Sequence, residues 1–491
     1  MFDSFVSWGA PIVGMPEDMF RYLVAFFIEI PITLLCRYVP DNQKLKHFLF
    51  GFLGMFIAYF VYSTISFSVF ISMIPVYFIM KYMPNKKGAY LSFAISVGYL
   101  IFLHIKRMVD NYMGYTLDFS GLQMVLTIKF TTFAFSVSNA NDEEYKCSPY
   151  TEKHKIKKYP SFLEFFGYTF FFPAYFSGPS LEYNDYISFI DMSMFDDFGK
   201  RAIPPIPVKR TLTLILEMLI LLGLFFLIGY FDLYARLEYY ILDHFELTGV
   251  FLRLTLVIIY VQLAKVKYYF TWKFAELLSL FLGFGYTGMN KETGETEWNG
   301  FINVNIYKME ISDSVRQIVA NWNIQTEKWL RYYVHERVAQ IPALKAYKNL
   351  ITNMMSAFWH GFYPGYYIAF ACLTLQQKFQ YVLHTQLRPL LTEKYGEKST
   401  AMKCYKIFNY LYTPYGMLYS FAAFVLLSFK NVWTLYKGTY FIPHIFAAVV
   451  YLVLSNFPIY KRKKVEKKEV KEEVNPEKNE NVKTVEEKKQ D

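Results

Sequence analysis

The sequence predicts an all-α polytopic membrane protein, and three observations carry that prediction. Of 491 residues, 54% are hydrophobic and 20% aromatic, with 50 Phe and 43 Tyr. Mean hydropathy stays positive, at +0.18, although 19% of the residues are charged. The apolar residues gather into runs near the ~20-residue length that crosses a bilayer core, and short polar stretches rich in Lys part them. A chain of this length could hold several soluble domains, but this composition argues against that.

Residues 1–18 lack the basic flank and small-residue cleavage site of a secretory signal, so 20–35 reads as a retained first membrane segment. Glu29 and Pro31 interrupt it, and the Glu is expected to pair with a neighbouring helix. Residues 45–80 are apolar for too long to be one span, so two segments joined near Tyr62 and Ser63 are expected. Lys86 and Lys87 mark a basic turn before a segment at 89–105. The next segment, 122–137, carries Lys129 and reads as re-entrant or as the wall of a cavity. Residues 139–160 hold Lys146, Lys153, Lys155, Lys157 and Lys158, the mark of a cytosolic loop. An apolar segment at 162–176 is stopped by Ser177, Gly178 and Pro179. Beyond it Glu182 and Asp185 invite a general-base reading, and a solvated interfacial turn is the preferred one.

Residues 211–231 form the cleanest span, uncharged except for Glu217. The acidic stretch 232–249 suits a lumenal loop, and 250–264 returns across the membrane. Lys273 and Glu276 stand three apart in an aromatic helix, a spacing that allows an ion pair. Gly283, Gly285 and Gly288 have no strand before them and no Lys-Ser/Thr after, so they read as a helix end and turn and not as a phosphate loop. Residues 289–352 are polar and amphipathic and are expected to lie in short helices against the membrane face. Two spans are expected at 407–429 and 438–458.

The tail, 461–491, has 11 basic and 9 acidic residues and few apolar ones, a composition that predicts disorder. Two regions follow, a membrane-embedded 1–460 and a charged cytosolic tail. The whole chain carries +10, the tail +2, so +8 belongs to the membrane region. That excess suits a cytosolic face and attracts anionic headgroups, or reflects only the positive-inside bias. Nucleic acid is not an expected partner. The last four residues, Lys488, Lys489, Gln490 and Asp491, look like the dilysine address of endoplasmic-reticulum membrane proteins. Cys36, Cys147, Cys372 and Cys404 lie far apart without metal-ligand spacing, which indicates neither a disulfide framework nor a zinc site.

The most informative stretch is 321–370, where a polar segment runs into SAFWHGFYPGYYIAF. His360 is flanked there by Phe358, Trp359, Phe362, Tyr366, Tyr367 and Phe370. An ionisable group at membrane depth is a functional-site candidate, with a satisfied core histidine as the alternative. Pro364 biases Tyr363 away from helix, so a break between His360 and Gly365 is expected. Upstream, Asn323, Thr326 and Leu330 stand at helical spacings that aim an amide and a hydroxyl to one side. Topology raises a difficulty. If the tail is cytosolic and the last two spans cross, the basic loop 376–406 is cytosolic too, and a simple crossing by 354–375 puts 289–352 in the lumen. Either that segment does not cross simply or the charge bias fails.

The pattern Trp322-Asn323-x-x-Thr326-x-x-Trp329-Leu330, taken with WHGFYPGYY, resembles the membrane-bound O-acyltransferase (MBOAT) family, in particular its lysophospholipid acyltransferase branch. The likeness extends to FFPAYFSGPSLEYNDYISFI at 171–190 and VKYYFTWKFAELLSLFLGFGYTG at 266–288, and so covers about 160–375. It implies an MBOAT-type bundle of about eleven membrane segments, some re-entrant or broken, around an internal catalytic chamber. It further implies acyl-CoA and a lysophospholipid as substrates in a multi-pass endoplasmic-reticulum protein, with no cofactor beyond the acyl-CoA itself. The family's paired polar residues map onto His360 and Asn323. Trp322, Thr326, Trp329, Trp359, Tyr363 and Tyr366 become candidate substrate-binding residues, with Arg331 and Arg337 facing the acyl-CoA phosphates. The sequence departs from its relatives at His335 in VHERV, where they often carry Tyr. Two alternatives stay open: an MBOAT branch with a sterol, diacylglycerol or protein acceptor, and a transporter, which also uses broken helices with intramembrane ionisable groups.

Overall fold

The structure, a computed structural model, describes residues 2–114, 117–175, 178–199, 202–244 and 249–460. The charged tail with its terminal lysines, and Ser177 of the expected stop, lie outside the described residues. The described chain is helical apart from a two-residue hairpin, Gly288–Met289 against Thr296–Glu297.

Helices Glu17–Cys36, Gln43–Tyr62, Val69–Tyr82, Lys86–Asp110 and Phe119–Ala140 make up the amino-terminal part. Polar side chains start several of them: Asn42 accepts from the Leu45 N–H, Asn85 from Lys87 and Gly88, and Asp118 from Ser120. Each satisfies donors that the first helical turn leaves open. The 45–80 run divides as expected, at a 3-10 turn Ser63–Ser68 that Ser63 enters with φ 56°. Both halves touch one short helix, Phe162–Thr169, Gly51 meeting Phe166 and Tyr77 meeting Phe165. A reciprocal capping box between Ser161 and Glu164 starts that helix. Lys129, fully buried, finishes it by donating to the Thr169 and Ala174 carbonyls at 3.0 and 3.3 Å.

Among the described residues four stretches are long and apolar enough to cross a membrane: Glu17–Cys36, Gln43–Tyr82, Lys86–Asp110 and Val208–Tyr230. Phe429–Gly438 and Ile442–Asn456, bent by 77°, make a fifth if taken as one span. The expected count of about eleven is not reached by this measure, since many remaining segments are short, broken or polar along one face.

The expected returning segment, 250–264, and the aromatic helix after it are one 33-residue helix, Val250–Leu282, which is not among these stretches. Lys273 pairs with Glu276 as expected, at 3.2 Å, and also reaches Glu217 of Val208–Tyr230 at 3.2 Å. Arg210 on that second helix bonds Glu276, so the two helices are tied by charge as well as packing. Glu29 departs from expectation. It is fully buried and neither carboxyl oxygen has a hydrogen-bond partner among the described residues, because its helix packs against Val250–Leu282 through apolar groups such as Phe26 on Phe270 and Phe274.

Residues 289–352 do form short helices, and part of the stretch enters the bundle, burying Trp298, Phe301, Asn303, Val304, Trp329 and Tyr333, while 340–347 stay exposed. Glu310 anchors them to the long helix, accepting from Gln262 at 2.9 Å and Lys265 at 2.7 Å, with Tyr269 as a third donor. The buried apolar side chains of this stretch meet protein.

The His360 segment does not run straight through the bundle. Lys348–His360 and Pro364–Val382 fold back on one another, with Asn353 bonded to Thr374 at 2.9 Å and Gln377 at 3.2 Å. The segment is therefore a broken hairpin, and 289–352 and 383–399 can share one end of the bundle.

Candidate active site

Lys348–His360 ends at His360 because Gly361 adopts φ 124°, a conformation open to glycine without strain, and Pro364 then opens the next helix. The half-buried imidazole stands in a ring of aromatic groups, with centroids of Trp359 at 4.7 Å, Phe424 at 4.8 Å, Tyr366 at 5.7 Å and Phe370 at 5.8 Å. Its ring nitrogens make no hydrogen bond among the described residues. The turn after it is held from the amino-terminal part of the chain. His104 Nε2 lies 3.1 Å from the Trp359 carbonyl, and the Tyr363 hydroxyl accepts from the Met113 N–H at 2.8 Å. Trp359 Nε1 donates to the Met124 carbonyl at 2.9 Å.

Asn323 precedes the helix Ile324–Trp329 in a left-handed conformation, φ 47° and ψ 55°, which an asparagine tolerates better than most residues. Its Oδ1 accepts from Asn303 Nδ2 at 3.2 Å. Asn303, 1% exposed, also accepts the Gln325 N–H on Oδ1 at 3.0 Å and the Ile324 N–H on its carbonyl at 2.9 Å. The Asn323 amide is thereby fixed by its oxygen, which leaves its NH₂ as the group on offer. Trp322 packs on Trp272 with centroids 4.8 Å apart and belongs to the hydrophobic cluster that holds Ala357 and Phe370, against which Tyr366 and Phe424 pack. Trp322, next to Asn323 in the chain, and His360 thus meet one aromatic cluster, and among the described residues no hydrogen bond joins the Asn323 and His360 side chains.

Of the other candidates, Thr326 and Trp329 are buried, Trp329 Nε1 donates to Thr131 Oγ1 at 3.1 Å, and its ring lies 6.0 Å from Trp359. Tyr363 and Tyr366 are neighbours at 6.0 Å. The two arginines are not part of this group. Arg331 is exposed, 4.0 Å from Glu327. Arg337 lies over the Phe135 ring at 3.9 Å and the Tyr145 ring at 4.3 Å and donates to Asn139 at 2.7 Å, a set of contacts that engages its guanidinium within the protein.

The family model described as "MBOAT, membrane-bound O-acyltransferase family" matches residues 52–422, most of the chain. The chain belongs to this family. Its chemistry is accordingly acyl-CoA-dependent O-acyl transfer. Similar proteins include "Lysophospholipid acyltransferase 6" of Drosophila melanogaster, 28% identical over 92% of this chain and 63% of that protein. "Membrane-bound glycerophospholipid O-acyltransferase 1" of Homo sapiens is 29% identical over 91% of each chain. "Lysophospholipid acyltransferase" of Schizosaccharomyces pombe is 27% identical over 91% of this chain and 88% of that one. The chain thus spans under two thirds of the fly protein and about nine tenths of the other two.

Within this MBOAT chain the LEYNDY turn is not solvated as expected. Glu182 is buried, accepting from the Tyr150 hydroxyl at 3.1 Å and the Tyr333 hydroxyl at 3.0 Å, and burial raises its carboxyl above the usual range. His335, the departure from the family pattern, faces Asn349 at 3.0 Å. Sequence reasoning missed His104 and Asn303. The first was open to the criterion that singled out His360, an ionisable side chain at the end of an apolar segment. Asn303 carries no such mark, because its partners are fixed only when the 300s fold into the bundle.

Proposed function

We propose that the protein transfers a fatty acyl group from acyl-CoA to the free hydroxyl of a lysophospholipid, with His360 as general base and Asn323 as its amide partner. The observation that carries the reading is the unbonded His360 imidazole, caged by aromatic rings at a helix break in an MBOAT chain. The names of the fly, human and fission-yeast relatives support the acceptor class. The neutral imidazole takes the hydroxyl proton as the lysophospholipid oxygen attacks the thioester carbonyl, a contribution of about 10² to 10⁴ in rate. The tetrahedral oxyanion is met by a donor of the Asn323 type, and loss of such a donor costs about 10²-fold or more. The C–S bond then breaks and the imidazolium returns its proton to the departing CoA thiolate. The aromatic walls keep out water, which would hydrolyse the thioester.

On this reading residues 1–460 form the acyltransferase domain, with about eleven membrane segments when broken ones are counted, and 461–491 a cytosolic tail in the endoplasmic-reticulum membrane. Arg331, exposed beside the basic loops, is better disposed than Arg337 to meet the acyl-CoA phosphates. The test is purified protein given acyl-CoA and a panel of lysophospholipids. Phospholipid and free CoA thiol should form one for one. Acylation of a sterol or diacylglycerol alone would move the chain to another MBOAT branch, and no acyl transfer at all would favour a transporter.

A further inference from the structure

The break that exposes His360 leaves a backbone problem. In an uninterrupted helix the Trp359 carbonyl would accept from the N–H of residue 363, but the ladder ends at Gly361, whose N–H turns back to the Ala357 and Phe358 carbonyls. An orphan carbonyl next to the reacting residue would let the last turn fray. His104 supplies the donor from a different part of the fold, 255 residues away in sequence, with Nε2 3.1 Å from the Trp359 oxygen. Because a carbonyl only accepts, the proton is on Nε2. The other edge of the ring lies against Gly361, where an added Cβ would stand 3.3 Å from Nδ1. His104 is 5% exposed, so it has no room to swing away. The same end of the Lys86–Asp110 helix runs on to Met113, whose N–H holds the Tyr363 hydroxyl on the far side of the turn.

We propose that His104 is a positioning residue for the acyl transfer: by capping the Trp359 carbonyl and bracing Gly361 it fixes the end of the His360 helix and hence the aim of the His360 imidazole. The proposal rests on His360 being the base. A misplacement of about 1 Å at a reacting group can cost 10²-fold, so the effect belongs in turnover and not in substrate affinity. A side chain that keeps an N–H donor at similar reach, such as Gln, should preserve most of it, whereas an isosteric apolar ring should not.

The experiment is steady-state acyl transfer by purified His104→Phe, His104→Gln and His360→Ala beside wild type, each at matched folded protein. His104→Phe should lower kcat about 10-fold or more, with the acyl-CoA KM within about twofold, and His104→Gln should recover most of the loss. In a His360→Ala background, His104→Phe should add little. Equal losses in His104→Phe and His104→Gln, or a wild-type kcat in His104→Phe while His360→Ala is inactive, would overturn the positioning role and leave the base assignment standing. Wild-type turnover in His360→Ala would instead remove the base assignment on which this inference rests.

Discussion

An asparagine side chain offers one acceptor oxygen and two donor hydrogens, and at position 323 the oxygen is already taken by Asn303 at 3.2 Å. The amide is therefore oriented before any substrate binds, as the proposed role requires. Asn303→Ala should lower kcat by about 10-fold through misorientation and also lower the thermal midpoint, since it leaves the Gln325 N–H without its acceptor, and an unchanged kcat at matched folded protein would mean that Asn323 aims itself. A second polar pair lies at the basic end of the bundle, where His154 Nε2 is 3.5 Å from Asp185 Oδ2. Burial alone would lower the His154 imidazole, but Asp185 and nearby Glu182 outweigh it and hold the imidazole above its usual range. A folded-state pKa raised in this way adds stability that is complete below the unfolded value, about 6.5, and fades as pH rises through the folded one. Asp185→Asn should thus lower the thermal midpoint more at pH 6 than at pH 9. Equal losses at both would remove the ion pair from the stability of this end.

Helices in this bundle approach closely where glycine lets them. Gly365 donates to the Leu427 carbonyl at 2.7 Å, and a Cβ there would stand 2.1 Å from the Ala423 carbonyl oxygen. Gly365→Ala should cost about 2 kcal/mol by overpacking the helix that leaves the His360 turn, read as a lower midpoint in detergent. Removing Glu310 would act differently, since it would strand the buried Lys265 ammonium, 8% exposed, without its 2.7 Å partner. Glu310→Ala should cost about 3 kcal/mol, and a midpoint within a degree of wild type would show that the 300s are held by apolar packing alone. The helix break was legible in sequence because Pro364 and Gly361 act locally, and so was the Lys273 and Glu276 pair at its spacing of three. The descent of part of 289–352 into the bundle was not, because an amphipathic pattern reports that one face is covered without saying whether lipid or protein covers it. Asn303 and the burial of Glu182 escaped for a related reason, since each depends on partners distant in sequence, whereas His104 carries the same mark as His360, an ionisable side chain at the end of an apolar segment.

A run of contacts ties one end of the molecule together. Arg37 reaches the Phe281 and Pro204 carbonyls, Lys46 the Ile190 carbonyl, Asn184 the Lys153 and Lys155 carbonyls, and Gln340 the Lys146 carbonyl. Tyr460, last of the described residues, meets Gln386 at 3.1 Å on the loop after Pro364–Val382. The helix Leu233–Leu242 follows Val208–Tyr230 and packs against Val250–Leu282 at the end away from Arg210 and Glu276, with Tyr234 on Tyr260 at 5.0 Å. Single cysteines placed at Lys345 and Glu397 should therefore label from the same membrane face, and one at Asp243 from the other, and labelling of Lys345 and Glu397 from opposite faces would contradict the broken hairpin. On the proposed reading the hairpin and the aromatic ring serve one proton transfer, and its direct test is acyl transfer from acyl-CoA to lysophospholipid by purified wild type, His360→Ala, Asn323→Ala and the double variant at matched folded protein. Each single variant should lose about 10²-fold or more in turnover while still binding acyl-CoA, and the double variant should be little worse than the weaker single one, since groups that act in one step are strongly non-additive. Near-wild-type turnover in His360→Ala would contradict the assignment of His360 as the base.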